Sequence, residues 1–481
     1  MPLTAKSPTR LHVLQNFSLI AVSILAIPLS TIILFISLAI DSCTRISLSK
    51  SLSRRHPRDN RKPRRQSPAC LAPKTILVTG VGMSKGLFIA RAFHAAGHIV
   101  IGADFEPHSL PVCGRFSRSL TRFYRLPSPA SSPPSLPKDE KGEKEDDEMV
   151  YTQKLLQIIN TEKVDLWISC SGVMSAVADG FAADAISRHT KCIALQFGSQ
   201  LTRTLHEKHS FISNTRSLGL NVPETHLVTS IESAMQALDV LGAAKTRYIL
   251  KSVGVEDSVR ADMTLLPLPS PAATRAHLIA ARMSPDRPFV LQRFVRGEEY
   301  CTHAIVVRGH VVGFTACGSA ELLMHYKPLL PNDGIFKALL EYTEMAHTAV
   351  VNFGDDGLGM VNAYLSALSI SPSHSNSHSP VFVSSSTTNH YWIGHDLITR
   401  LFLPHLIFIF TGKGSWAYIF ASWREFAQHV LYWRDPTYQL WDPLPAWWLY
   451  SVYWPCMFLL TIVTGKWWSR CNVSTGKIFR C

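Results

Sequence analysis

Tyr248-Ile-Leu-Lys-Ser252 is a short apolar run closed by a lysine, and it stands between two related segments. About 40 residues before it lies His206-Glu-Lys-His-Ser-Phe211, and at a similar distance after it Leu291-Gln-Arg-Phe-Val-Arg-Gly-Glu-Glu299. In that order the residue types suit a nucleoside triphosphate held between two sheets. Lys208 and Lys251 supply cations for the phosphates, the strand at 291 to 295 offers its backbone to the base edge, and Glu299 offers a carboxylate to the ribose hydroxyls. Glu298 and Glu299 are adjacent, so on a strand they point to opposite faces, and Glu299 takes the ribose side. Gln292 and Phe294 are the strand positions beside the base. The polar stretch from Val253 to Asp262 follows the second lysine as a loop able to close over the phosphates, with Arg260 as its charge-neutralising side chain.

Upstream, Thr75-Ile-Leu-Val-Thr-Gly80 reads as a buried strand, the glycine turn Gly82-Met-Ser-Lys-Gly86 leads into a helix to about Ala96, and Gly97 to Asp104 is the next strand. This βαβ opening, with Asp104 ending its second strand, also fits a dinucleotide site, although Gly80, Gly82 and Gly86 depart from the GxGxxG spacing. A turn needed only to pack helix on strand explains the glycines equally well. Further along, 151–160 reads as a helix, 164–169 as a strand and 231–241 as a helix, and this alternation makes the chain α/β. Between them Pro127 to Glu148 is proline-rich and then densely charged, which predicts a disordered insertion.

The 481 residues allow two or three domains. The formal charge of +13 is concentrated: nine Lys/Arg against Asp59 between Thr44 and Gln66 contribute +8. No aromatics are interleaved there, so a nucleic-acid partner is not expected, and lipid headgroups suit the stretch better. Just before it, Phe17 to Ile40 is an uncharged run long enough for a transmembrane helix, with Pro28 as a kink. The basic flank predicts that the body stays on the cytosolic side. Near the other end, Asp442 and Lys466 bracket 23 uncharged residues rich in Trp and Tyr. That segment reads as a second span, an in-plane membrane segment or an aromatic packing arm, and Leu401 to Phe410 is too short to cross. The ten cysteines show no CxxC pair or zinc-ligand spacing and fit reduced thiols.

Several strings carry a closer resemblance: Arg91-Ala-Phe-His-Ala-Ala-Gly-His98, Arg216-Ser-Leu-Gly-Leu220, Tyr248-Ile-Leu-Lys-Ser252, Asp257-Ser-Val-Arg260 and Glu299-Tyr-Cys-Thr-His303. Through them the stretch from Lys74 to about Pro331 resembles ATP-grasp ligases, in particular mycosporine-glycine synthase and the related fungal secondary-metabolite ligases of the fumisoquin type. A weaker similarity continues from Tyr391-Trp-Ile-Gly-His395 to Thr475-Gly-Lys477. The resemblance implies an ATP-grasp domain at 196–395 behind a Rossmann-like domain at 74–195. These follow a tail at 1–16, a transmembrane helix at 17–40 and a basic linker at 41–73, with an aromatic membrane-associated region at 396–481.

The resemblance further implies ATP and Mg2+ as cofactors, Arg260 and His303 as catalytic residues, and C–N bond formation between an amino-acid amine and an activated carboxylate or enol. The partners would be those small molecules, membrane lipid and other enzymes of a pathway. The late Glu-Cys-Asn-Pro-Arg strand of these ligases has no counterpart, and a Ser/His-rich run, Ser369 to Pro380, stands in its place. Phe353-Gly-Asp-Asp-Gly-Leu-Gly-Met-Val-Asn-Ala-Tyr364 occupies the place of the preceding strand, with Asp355, Asp356 and Asn362 as candidate metal ligands or, for the two Asp, as an Asp-Asp-Gly turn. A rewired metal site, a loss of catalysis and a lost strand all fit that pattern. Two other functions stay open: a nucleotide-dependent oxidoreductase using Gly80, Gly82, Gly86 and Asp104, and a non-catalytic membrane scaffold.

Overall fold

The computed structural model describes residues 7–53, 72–128, 140–172, 175–240, 246–253, 262–307, 310–319, 324–346, 357–368, 381–382, 389–402, 404–405, 408 and 415–480. The chain opens with α1 (Thr9–Ser53), one helix that runs through Pro28 and extends beyond the expected 17–40 at both ends. Its polarity is inverted relative to a helix in water. The inward seam carries His12, Asn16, Ser30, Ser37 and Asp41, while Phe17, Leu25, Leu29, Phe35 and Ile36 face outward, Leu25 at 79% exposure. The seam is hydrogen-bonded along its length: Asn16 Nδ2 to Thr461 Oγ1 at 3.0 Å, Ser30 Oγ with Ser451 Oγ at 3.0 Å, Ser37 Oγ with Tyr438 OH at 2.7 Å, and Arg118 to Asp41 at 2.8 Å. Two of these four partners, Thr461 and Ser451, belong to the apolar helix Leu444–Thr464, which runs antiparallel to α1.

Residues 75 to 195 form a doubly wound layer. Strands β1 (Thr75–Thr79), β2 (Ile99–Phe105), β3 (Arg122–Leu126), β4 (Leu166–Ser169) and β5 (Ile193–Leu195) are parallel, in the order β3-β2-β1-β4-β5. Alternation along β1 sends Ile76 and Val78 to one face and Leu77 to the other. The first face packs on α2 (Ser84–Ala95), which buries Leu87, Ile89, Ala90 and Phe93 and ends at Gly97, a glycine at φ +87°. The second face packs on α3 (Glu140–Glu162) and α4 (Ala176–His189) around Tyr151 and Trp167. Helix α3 begins at Glu140, so the second half of the expected disordered insert is helical. An acidic sequence at the start of a helix complements the positive end of its dipole, which offsets the lack of apolar residues there.

After α5 (Ser199–His206) and α6 (Lys208–Ser217) comes a second, antiparallel sheet in the order β6-β9-β7-β8. Its strands are β6 (Thr225–Val228), β7 (Tyr248–Ser252), β8 (Leu265–Leu266) and β9 (Phe289–Arg293). One face, with Val228, Tyr248, Leu250, Phe289 and Leu291, packs on α7 (Ile231–Val240) and the helix Pro271–Ala280. That helix starts at Pro271 behind Ser270, whose side chain accepts from Ala273 N. The period-2 alternation therefore turns Thr225, Lys251 and Gln292 to the opposite face.

A hairpin, β10 (Tyr300–Val307) and β11 (His310–Gly318), joined in parallel by β13 (Val381–Phe382), makes a third sheet. It meets the first domain through Ile305, which shares a core with Val81, Phe93 and Tyr364. Tyr364 lies on a helix, Gly357–Leu365, where a strand carrying metal ligands was expected. The reason is visible in its spacing: Met360, Val361, Tyr364 and Leu365 fall on one helical stripe and are buried against α2, with the Tyr364 ring 5.9 Å from Phe93. Asn362 is consequently on the exposed side. The two short strands β12 (His325–Tyr326) and β14 (His390–Tyr391) pair with each other, and the chain closes on a hairpin of β15 (Trp468–Asn472) and β16 (Lys477–Arg480).

Candidate nucleotide site

The antiparallel sheet brings together most of the residues expected to meet a nucleotide. Lys251 lies opposite Val290 and Gln292 opposite Ile249, so the two polar side chains are diagonal neighbours on one face. Lys251 Nζ donates to Gln292 Oε1 at 2.8 Å, and Gln292 Nε2 donates to Thr225 Oγ1 at 3.1 Å. Partial burial lowers the Lys251 pKa, while the carboxylate of Glu299 pulls it upward, which places Glu299 within electrostatic reach of this lysine. Lys208, the first residue of α6, donates from Nζ to Ser252 O at 2.7 Å and thereby reaches the same end of β7. Glu298 is engaged differently, accepting from Tyr300 OH at 2.5 Å.

The strand expected to offer its backbone to a base has its own amides engaged within the sheet. β9 is an interior strand, paired with β6 on one side and β7 on the other. Arg293 N donates to Glu224 O at 2.8 Å and Phe294 N to Arg247 O at 2.7 Å. Neither amide is open to a base, so backbone recognition has to come from the exposed linker, 295–298, that follows. Arg293 is on the opposite face from Gln292 and Lys251.

His303 is 9% exposed on β10, opposite Thr315 and 6.2 Å from the Tyr326 ring. Burial, reinforced by the Lys85 ammonium, pushes its pKa down to about 4, so the ring is neutral at neutral pH. Lys85, on the first turn of α2, also acts on Asp179, a buried carboxyl bonded by Tyr151, Ser169 and Ser175. This lysine therefore stands where the loop after β1, the helix after β4 and the third sheet meet, at the crevice where strand order reverses. Sequence reading passed over it; its one local signal was its place in the glycine turn. Arg260, Asp355 and Asp356 lie outside the described residues.

Of the Mg2+ ligands expected from sequence, Asn362 alone falls among the described residues. Asn362 is exposed on its helix, and among the described residues the one group of three ligand atoms close enough to share an ion is elsewhere, at His325, His395 and Asp396.

The glycine turn of the first domain serves packing. A Cβ on Gly86 would come within 2.2 Å of Gly80 O, and Gly80 itself has φ +77°. The start of α2, where a pyrophosphate would sit in a dinucleotide fold, is filled by the C-terminal hairpin and by Trp392 after β14: Ser84 N donates to Ser474 O at 2.8 Å and Trp392 Nε1 to Ser84 Oγ at 3.0 Å. Asp104 accepts from Gly82 N at 2.6 Å and Phe105 N at 2.7 Å, and burial pushes its carboxyl up to about 7. A ribose hydroxyl would have to compete with the turn for that side chain, which removes the basis of the oxidoreductase reading.

No protein-family model matches the chain, and no curated protein matches it. Among solved structures, it is similar to an L-amino acid ligase from Bacillus licheniformis at 14% identity and a TM-score of 0.37, covering 57% of this chain and 59% of that one. It is also similar to the N5-carboxyaminoimidazole synthetase of Staphylococcus aureus complexed with ADP, at 15% identity and a TM-score of 0.40, covering 58% and 64%. A third is the biotin carboxylase domain of the Hydrogenobacter thermophilus 2-oxoglutarate carboxylase, in complex with MgADP, ADP and bicarbonate, at 9% identity and a TM-score of 0.38, covering 57% and 59%. The chain thus spans 59 to 64% of the length of these proteins. At such scores the likeness decides nothing about this chain, and the reading below rests on its own side chains.

Proposed function

We propose that this chain is an ATP-dependent ligase of the ATP-grasp type, working at a membrane surface. The observation that carries the reading is the convergence of Lys208, Lys251 and Gln292 at one end of β7, Lys251 and Gln292 on the face turned away from the helices, with Glu299 within electrostatic reach of Lys251. Two ammonium groups, a side-chain amide and a carboxylate in that arrangement suit phosphates, base and ribose in turn. The 295–298 linker supplies the backbone for the base.

In the proposed reaction the γ-phosphoryl group of ATP passes to a carboxylate or enol oxygen, leaving ADP. An amino-acid amine then attacks the activated carbon, the C–N bond forms, and inorganic phosphate leaves with the oxygen. Lys85 and neutral His303 border the crevice where the first sheet reverses its strand order and suit the acceptor's negative oxygen and the amine's proton. The resemblance to mycosporine-type and fumisoquin-type ligases supports an amino acid as the amine donor. Sustained ADP release should need both an amine and an acceptor, since the acceptor alone stops at one bound phosphorylated intermediate per enzyme. Equal ADP release without either substrate would refute ligation, and ATP binding with no turnover under any pairing would favour a scaffold.

The membrane reading rests on the inverted polarity of α1. Two helices, Thr9–Thr44 at mean hydropathy 2.7 and Leu444–Thr464 at 1.4, are long and apolar enough to cross a bilayer. The second of them, however, packs through Leu449, Tyr453 and Trp454 in one cluster with Cys113, Met324 and Trp392 of the body. α1 is held to the body along its length, through Leu19 and Ile20 in that cluster, Ser37 to Tyr438 and Asp41 to Arg118, and its outward face joins Leu459 and Val463 of the second helix as exposed apolar surface for lipid. We therefore place α1 in the plane of the membrane surface rather than across it. In sealed microsomes an N-terminal epitope tag should be destroyed by external protease together with the body. A protected tag would restore the transmembrane reading.

A further inference from the structure

Four imidazole and carboxylate groups outside the nucleotide site converge from three distant segments. His325 lies on β12, whose pairing with β14 sets it opposite Tyr391 and so beside the turn that carries His395 and Asp396. His429 enters from the helix Trp416–Tyr432. At the centre is Asp396, 0% exposed, with Oδ1 2.6 Å from His325 Nε2 and Oδ2 2.5 Å from His429 Nδ1. One ligand atom each from His325, His395 and Asp396 lie within 4.8 Å of one another.

The surroundings hold these groups in place. The Trp433 ring is 4.2 Å from that of His429, the Tyr391 ring is 5.7 Å from it, and the His325 and His395 rings are 5.8 Å apart. Arg400 Nε is 3.8 Å from Asp396 Oδ1, and the other end of that guanidinium is paired with Glu425.

We propose that His325, His395 and Asp396 bind a zinc ion, with His429 fixing the second oxygen of Asp396 and the fourth coordination position left to water. Two imidazoles and a carboxylate are a donor set for zinc and its late first-row neighbours, whereas Mg2+ and Ca2+ select oxygen. In a tetrahedral site with bonds of about 2.0 to 2.2 Å the ligand atoms stand about 3.3 Å apart, so an ion would replace the 2.6 Å hydrogen bond between His325 Nε2 and Asp396 Oδ1 and part those two atoms. The hydrogen bond from His429 to a ligating carboxylate is the usual outer support of such a centre. An ion here would tie residue 325 to the 390s and, through His429, to the following helix, independently of the nucleotide sheet.

The test is metal analysis of the full-length protein, stripped with chelator and dialysed against Zn2+. About one zinc per chain should remain in the wild type and close to none in the His325→Ala, His395→Ala double variant. Asp396→Asn, which keeps the shape of the side chain, should likewise lose most of the metal. The wild type loaded with Co2+ should show the visible absorption bands of a four-coordinate centre, a readout that does not depend on any variant folding. Absence of both zinc and cobalt bands in the wild type, or equal zinc in wild type and variants, would overturn the proposal.

Discussion

Arg91→Ala should cost about 3 to 5 kcal/mol of folding stability and detach the C-terminal region from the first domain. The side chain is 2% exposed and its Nε lies 2.8 Å from Asp442 Oδ2, a carboxylate that is itself fully buried. The rest of the guanidinium donates to Pro436 O at 3.1 Å, Thr437 O at 3.0 Å and Asp442 O at 2.8 Å. Truncation would leave three carbonyls without their donor and one carboxylate buried with only Ser117 Oγ and Arg118 N to hold it. Lysine cannot substitute, because a single ammonium does not span the fork of acceptors. Chemical denaturation should show the midpoint falling, and limited proteolysis should release fragments from beyond residue 435. An unchanged midpoint would mean that the pair is not the lock described here.

The second large effect is expected at Lys251. Its removal should weaken ATP binding by roughly tenfold or more, since a charge-assisted hydrogen bond is worth about 1.5 to 3 kcal/mol. The fold should survive, because Lys251 lies on the face of the sheet opposite the core of Tyr248, Leu250, Phe289 and Leu291. Calorimetric titration of ATP into the folded variant measures this directly. Unchanged affinity would take Lys251 out of the phosphate contacts.

Much of this site was legible because its signals are local. Tyr248-Ile-Leu-Lys-Ser252 has an apolar strand pattern, and period-2 alternation alone decides that Lys251 and Gln292 share a face. The βαβ opening was equally legible from its apolar runs and from Gly97. What could not be read is set by pairings across hundreds of residues. Nothing near Arg91 names Asp442 as its partner, and nothing near Ser84 says that Ser474 will fill the start of α2. The hydropathy of α1 was plain, but its inward seam of Asn16, Ser30 and Ser37 shows only once Tyr438 and the helix Leu444–Thr464 are laid against it. The histidine cluster was hidden for the same reason, since its members come from β12, the turn after β14 and the helix Trp416–Tyr432. The stretch around Asn362 was read for its polar residues, whereas the apolar stripe from Met360 to Leu365 makes it a helix.

The most direct test of the central claim is photolabelling of the full-length protein with 8-azido-ATP, competed with ATP and followed by peptide mapping. The label should fall between residues 246 and 299, on the strands bearing Lys251 and Gln292 or the linker behind them, and should fade in the Lys251→Ala variant. Label in the turn from Gly80 to Gly86, or labelling that ATP does not compete, would contradict a nucleotide site on the antiparallel sheet.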